Sequence, residues 1–171
     1  SNNKEIDRLI FNLQTSILVD ALIYLSDSNK ILGNAKEQKM LLERVLKIKE
    51  AHYGKEHVEV AITLNSLANA YLAIGDKYKV VELSERALPI FKTFYGNNHI
   101  AVWKILYNLF MHYSSLKNMS KMIELSEQAL TIFAPYHSEN HDELSHMLIN
   151  TSCIYGIDNI QKQIKLLEHA L

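Results

Sequence analysis

The chain has 171 residues, 48% hydrophobic and 22% charged, a soluble globular balance with enough length for one domain and a sizeable core. A net charge of −1 and a pI near 6.7 give no long-range field for DNA, RNA or an anionic membrane, and no unbroken run of about 18 apolar residues marks a membrane span, so neither nucleic acid nor membrane is an expected partner. The lone cysteine, Cys153, excludes an internal disulfide and a multi-cysteine metal cage; with no basic stretch leading into an apolar one, the expected location is cytoplasmic.

In chain order, Lys4–Leu25 predicts a first helix and Ala35–His52 a second. Between them SDSNKILGN is rich in turn residues and predicts a longer connection than those that follow. From His57 onward a constant period takes over. His57, His99 and His141 are 42 residues apart, as are Leu64, Leu106 and Leu148, and Tyr71, Tyr113 and Tyr155. ELSER at 82–86 returns as ELSEQ at 124–128. Repeats of this kind identify an architecture of stacked units before any single helix is assigned.

Each unit predicts two helices. In HVEVAITLNSLANAYLAI, Val60, Leu64, Leu67, Ala68 and Tyr71 fall on one helical face, and Gly75-Asp76 stops the helix. The second helix runs from about Lys77 to Tyr95, with Val80, Val81, Leu83, Ala87, Leu88, Ile90 and Phe91 inward. Pro89 falls inside it and predicts a kink. Helix pairs are expected at about 4–53, 57–95, 99–134 and 139–171. A pair this short cannot bury its own apolar face. The expectation is therefore an all-α, right-handed superhelical solenoid of about four antiparallel pairs forming a single domain, with first helices on the concave face.

The segment VLKIKEAHYGKEHVEVAITLNSLANAYLAIGDKYKVVELSER at 45–86 resembles the kinesin-light-chain type of tetratricopeptide repeat, ALxIxxxxxGxxHxxVAxxLNxLAxxYxxxGxYxxxxxLxxR. The resemblance weakens through 87–128 and 129–171 and covers about three quarters of the chain. It implies a protein- or peptide-binding groove on the first helices, where the family's LNNLA segment presents an Asn pair. Here those positions hold Asn65-Ser66, Tyr107-Asn108 and Ile149-Asn150. The family's Pro after the repeating His is replaced by Val58, Ile100 and Asp142.

Side chains one and five positions after each core Leu lie off the core face. The groove is accordingly expected to present Asn65, Asn69, Lys104, Tyr107, Asn108, Met111, His146 and Asn150, with Ile62 on the same stripe. Amides both donate to and accept from a peptide backbone, and Tyr and Met add adaptable apolar area. The competing reading is that these Asn are merely solvated and that Tyr107 and Met111 pack against a neighbouring repeat. A carboxylate clamp would have only Lys104 as its cation.

Chemistry-bearing patterns are weak by comparison. His57, His99 and His141 lie one per repeat, too far apart for one zinc ion, and are read as helix-start residues set by the repeat. His137, His141 and His146 cluster near Glu139, Asp142 and Glu143 but lack an HExxH spacing. Cys153 occupies the repeat position of Asn69 and Met111. Glu82, Glu85, Glu124 and Glu127 are read as a solvated convex face. No catalytic residue, cofactor or metal is expected. The predicted function is an interaction module, or scaffold, holding a peptide or helix of another protein; the alternative is a structural role with end-to-end self-association. IQKQIKLLEHAL keeps the repeat pattern to the last residue, which predicts either further repeats in a longer protein or a second copy against that end.

Overall fold

The structure, a computed structural model, describes residues 2–133 and residue 164. Among them are six helices and no strand: α1 Asn2–Ile31, α2 Ala35–Tyr53, α3 Val58–Ala73, α4 Lys77–Tyr95, α5 Ile100–Ser115 and α6 Met119–Phe133. The fourth expected pair, with Leu148, Tyr155, His146 and Asn150, lies outside the described residues.

The chain divides into two compact units, Ser1–Val80 and Val81–Leu171. In the first, α1 packs on α2 and α2 on α3. Its core holds Leu22, Leu42, Val45, Val60, Leu64, Leu67 and Ala68, and Tyr71 is half-buried. In the second, α5 packs on α6, around Val102, Leu106, Leu109, Phe110, Met122 and Leu125. The inward face expected for α4 is buried at Val80, Val81, Leu83, Ala87, Ile90 and Phe91, with Leu88 half-buried. Pro89 sits at an exposed position and α4 continues past it to Tyr95.

The turn closing each first helix is the same device three times. Gly33, Gly75 and Lys117 stand 42 residues apart and take φ of +75°, +84° and +57°. Each allows the next amide to reach back: Asn34 N–H to the Asn29 carbonyl at 2.9 Å, Asp76 to Tyr71 at 3.0 Å and Asn118 to Tyr113 at 3.0 Å. This is the Schellman closure. Asp76 and Asn118 then cap the following helix, accepting from Lys79 N–H at 3.0 Å and Lys121 N–H at 3.1 Å.

The repeat therefore reaches into α1, and the long first connection expected from SDSNKILGN is corrected to a short turn. Ser28 Oγ and Asn29 Nδ2 donate to the carbonyls of Tyr24 and Leu25 one turn back, at 2.8 and 2.9 Å. Residues that favour turns here keep the helix going instead. Only residue 33, at the left-handed position, stops it.

α1 also corrects the reading that no segment has membrane-span character. Over Lys4–Ile31 it is long and apolar enough to cross a bilayer by length and composition. Asn12, Gln14, Thr15, Ser16 and Asp20 interrupt the apolar run, which is why no unbroken stretch stands out in the sequence. The face toward α2 is partly polar, with Leu22 and Ser26 buried, whereas Ile6, Ile10, Leu13, Ile17 and Tyr24 on the opposite side are exposed.

Glu85 also departs from expectation. Rather than being only a solvated carboxylate, it accepts a short hydrogen bond from the Tyr113 hydroxyl, and Glu43 accepts one from Tyr71 at 2.7 Å. The pairs are 42 residues apart. Burial and the Glu85 carboxylate together hold the Tyr113 hydroxyl in its protonated form well above the ordinary phenol range.

This packing makes two stability predictions. Leu106 is fully buried, and Leu106→Ala should cost about 2–5 kcal/mol in chemical denaturation; a loss below about 0.5 kcal/mol would place Leu106 off the core. Lys117 holds a left-handed backbone that costs an L-residue roughly 1 kcal/mol. Lys117→Gly should therefore stabilise the chain by a few tenths to about 1 kcal/mol, less than the full strain because Gly loses more entropy on folding. A lower melting temperature for that variant would contradict the strain account.

Candidate interaction surface

α3 begins at Val58 because His57 caps it and ends at the Gly75 turn; α5 repeats this from His99 to Lys117. Within these limits the buried leucines fix the rotation of each helix. With Leu64 and Leu67 inward, Ile62 and Asn69 are exposed and Asn65 and Ser66 half-buried on the outer side of α3. With Leu106 and Leu109 inward, Lys104 and Met111 are exposed and Tyr107 and Asn108 half-buried on α5.

The expected residues thus fall into two stripes. Asn65 and Asn69 share one face of α3; Lys104, Tyr107, Asn108 and Met111 share one face of α5. His146 and Asn150 lie outside the described residues. α3 belongs to the first unit and α5 to the second.

The stripes differ in chemistry. The amides of Asn65, Asn69 and Asn108 carry no hydrogen bond among the described residues, so their donors and acceptors are open to a ligand. Ser66 Oγ instead donates to the Ile62 carbonyl at 3.2 Å. Tyr107 stacks on the buried ring of Trp103, centroids 5.6 Å apart and 16° between planes. Part of its apolar area is therefore spent on packing within α5, and the ring is held in place on the helix surface. Lys104 is in no ion pair among the described residues, so the α5 stripe carries one positive charge. Behind the stripe, burial pushes the pKa of His112 below the ordinary imidazole value.

Two further constellations lie outside the expected groove, and the first follows from the helix-start position of the repeating His. His57 and His99 act as side-chain caps, accepting from Glu59 N–H at 3.2 Å and Ala101 N–H at 3.1 Å. A cleft of about 160 Å³ in the first unit is lined by Asn12, Asp20, Lys49, His52, Tyr53 and Glu59 among others. Within it Lys49, almost wholly buried, donates to Glu59 at 2.7 Å. The 42-residue step was the only available signal: Lys49 stands where Phe91 stands in the next unit. Among the described residues no three His, Cys, Asp or Glu side chains converge as a metal site would need.

The backbone is that of the tetratricopeptide-like repeat proteins, and its structural neighbours include repeats of the kinesin-light-chain kind. It is similar to BtubC (BKLC) from P. vanneervenii, with a TM-score of 0.73 and 23% identity, covering 91% of this chain and 63% of that one. The chain thus spans less than two thirds of BtubC. It is also similar to a Podosopora anserina protein described as a kinesin light chain with nearly identical TPR-like repeats, and to a single-residue variant of that protein. The TM-scores are 0.68 and 0.69, each at 24% identity, covering 89% of this chain and 72% of the other. No family model matches the chain, and no curated protein matches it.

Proposed function

We propose that this chain is a protein-interaction module in which the first helix of each repeat grips a peptide or helix of a partner protein. The tetratricopeptide-like fold supports an interaction role in general. The observation that carries the finer reading is the pair of equivalent stripes, 62–69 on α3 and 104–111 on α5. There the repeat leaves amides and one ammonium unpaired while satisfying the polar groups of its turns and caps. Unpaired amides at successive repeats suit a partner that offers backbone N–H and C=O groups, as an extended segment does. Met111 and the Trp103-backed Tyr107 ring add apolar contacts, and Lys104 favours a partner with a carboxylate nearby.

A partner isolated by cross-linking and mass spectrometry provides the ligand for the decisive measurement. Asn108→Ala should weaken it by about 0.5–1.5 kcal/mol, roughly 2- to 12-fold in Kd, without lowering the melting temperature. Unchanged affinity would move the binding surface off α5.

A structural role through self-association is favoured by one observation, the exposed apolar side chains Ile10, Leu13 and Ile17 on α1. That reading expects a concentration-dependent mass in sedimentation equilibrium, abolished by Ile10→Asp together with Ile17→Asp. A monomeric wild-type chain at high concentration rejects it.

A further inference from the structure

His57 and His99 cap their helices through Nδ1. Each ring nitrogen accepts the backbone N–H two residues on, and each ring lies flat against the tyrosine four residues before it. Tyr53 stacks on His57 at 4.6 Å with 13° between planes, and Tyr95 on His99 at 4.5 Å with 14°. A neutral imidazole has one donor and one acceptor nitrogen, so an accepting Nδ1 requires the proton on Nε2. In the imidazolium both nitrogens donate. Nδ1–H would then face the N–H of Glu59 or Ala101, and a positive charge would sit at the positive end of the helix dipole. Asp76 and Asn118, which cap α4 and α6, lack a nitrogen that could be protonated in this way.

We infer that His57 and His99 are acid-labile caps whose protonation releases the first turns of α3 and α5. The charged and titratable surroundings of the two caps differ. Beside His57 the Tyr53 ring stacks on the imidazole and meets His52 edge-on, Lys55 and Glu56 precede His57 in the loop, and Glu59 supplies the capped amide. Glu59 is held by Lys49. Beside His99 the Tyr95 ring stacks on the imidazole, and the loop residues Gly96, Asn97 and Asn98 are uncharged. Lys92 is engaged with Gln128 at 3.0 Å. Two settings with different charges share one cap geometry. His141 keeps the 42-residue step but lies outside the described residues. The inference does not depend on the proposed binding function.

The test compares wild-type chain with the double variant His57→Asn/His99→Asn. Asn is a favoured cap that accepts through its side-chain oxygen and does not titrate. Between about pH 7.5 and about pH 5.5, spanning the ordinary histidine range, the wild-type melting temperature should fall by roughly 4–8 °C more than that of the variant. His112 adds an acid loss of its own. Its folded pKa lies below the unfolded value, so the unfolded chain takes up the proton first and stability falls as pH drops through that window. That background is common to both proteins and cancels in the comparison. Parallel pH slopes would overturn the inference. If the variant does not fold, 15N NMR of the wild-type histidines decides. An unprotonated Nδ1 in His57 and His99 at about pH 7.5, with the Glu59 and Ala101 amides shifting as the rings titrate, supports the caps; a protonated Nδ1 or unresponsive amides overturns them.

Discussion

Complete burial of Leu64 and Leu106 sets the rotation of α3 and α5 about their own axes, and most of what each helix presents follows from it. A helix of 16 residues cannot turn one face inward without committing the opposite face to solvent. Residues one and five places after the leucine are therefore outward at every repeat. The residue seven places after it, Tyr71 or Tyr113, returns toward the core and reaches a glutamate on the preceding second helix. The apolar contact and the Tyr–Glu bond act together. The leucine fixes rotation, and the hydrogen bond, which needs a particular axial position, limits sliding.

The turns complete this arrangement. α3 and α5 each begin at a cap that satisfies an amide at the positive end, and α1, α3 and α5 each stop at a left-handed residue that lets the last carbonyls be satisfied. Lys117 shows how firmly the stop is imposed. Its backbone adopts the conformation its two Gly counterparts adopt, because the Asn118-to-Tyr113 bond can form only from there.

Much of this was legible in the sequence because it repeats. The 42-residue step exposed the core leucines, the tyrosines and two helix pairs within about a residue of their ends, and it placed Asn65, Asn69, Lys104, Tyr107, Asn108 and Met111 on outward faces. Other features depend on geometry that periodicity does not encode. Glu85 looks solvated until the position of the Tyr113 hydroxyl is known. His57 reads as a helix start from the repeat, but its capping bond shows only once Nδ1 is seen against Glu59 N–H. Ser28 and Asn29 are turn formers by composition, yet their side chains bond to carbonyls one turn back and extend α1. In α1 the apolar residues are numerous enough to satisfy two requirements at once, a stripe toward α2 and a second stripe away from it, and composition alone does not separate them.

The two outward stripes also show where the repeat constrains chemistry and where it does not. Val60 and Val102, Leu64 and Leu106, and Leu67 and Leu109 are identical pairs, and the inward changes Ala61 to Trp103 and Ala68 to Phe110 remain apolar, whereas Ala70 gives way to His112. Outward, the equivalent positions change class: Ile62 to Lys104, Asn65 to Tyr107, Asn69 to Met111. Burial restrains the first set, since a polar replacement there would lose its hydration without gaining a partner. Packing restrains the second far less, with Tyr107 against Trp103 as an exception. The outward stripe of α3 is therefore amide-rich, and that of α5 carries an aromatic ring, a thioether and an ammonium.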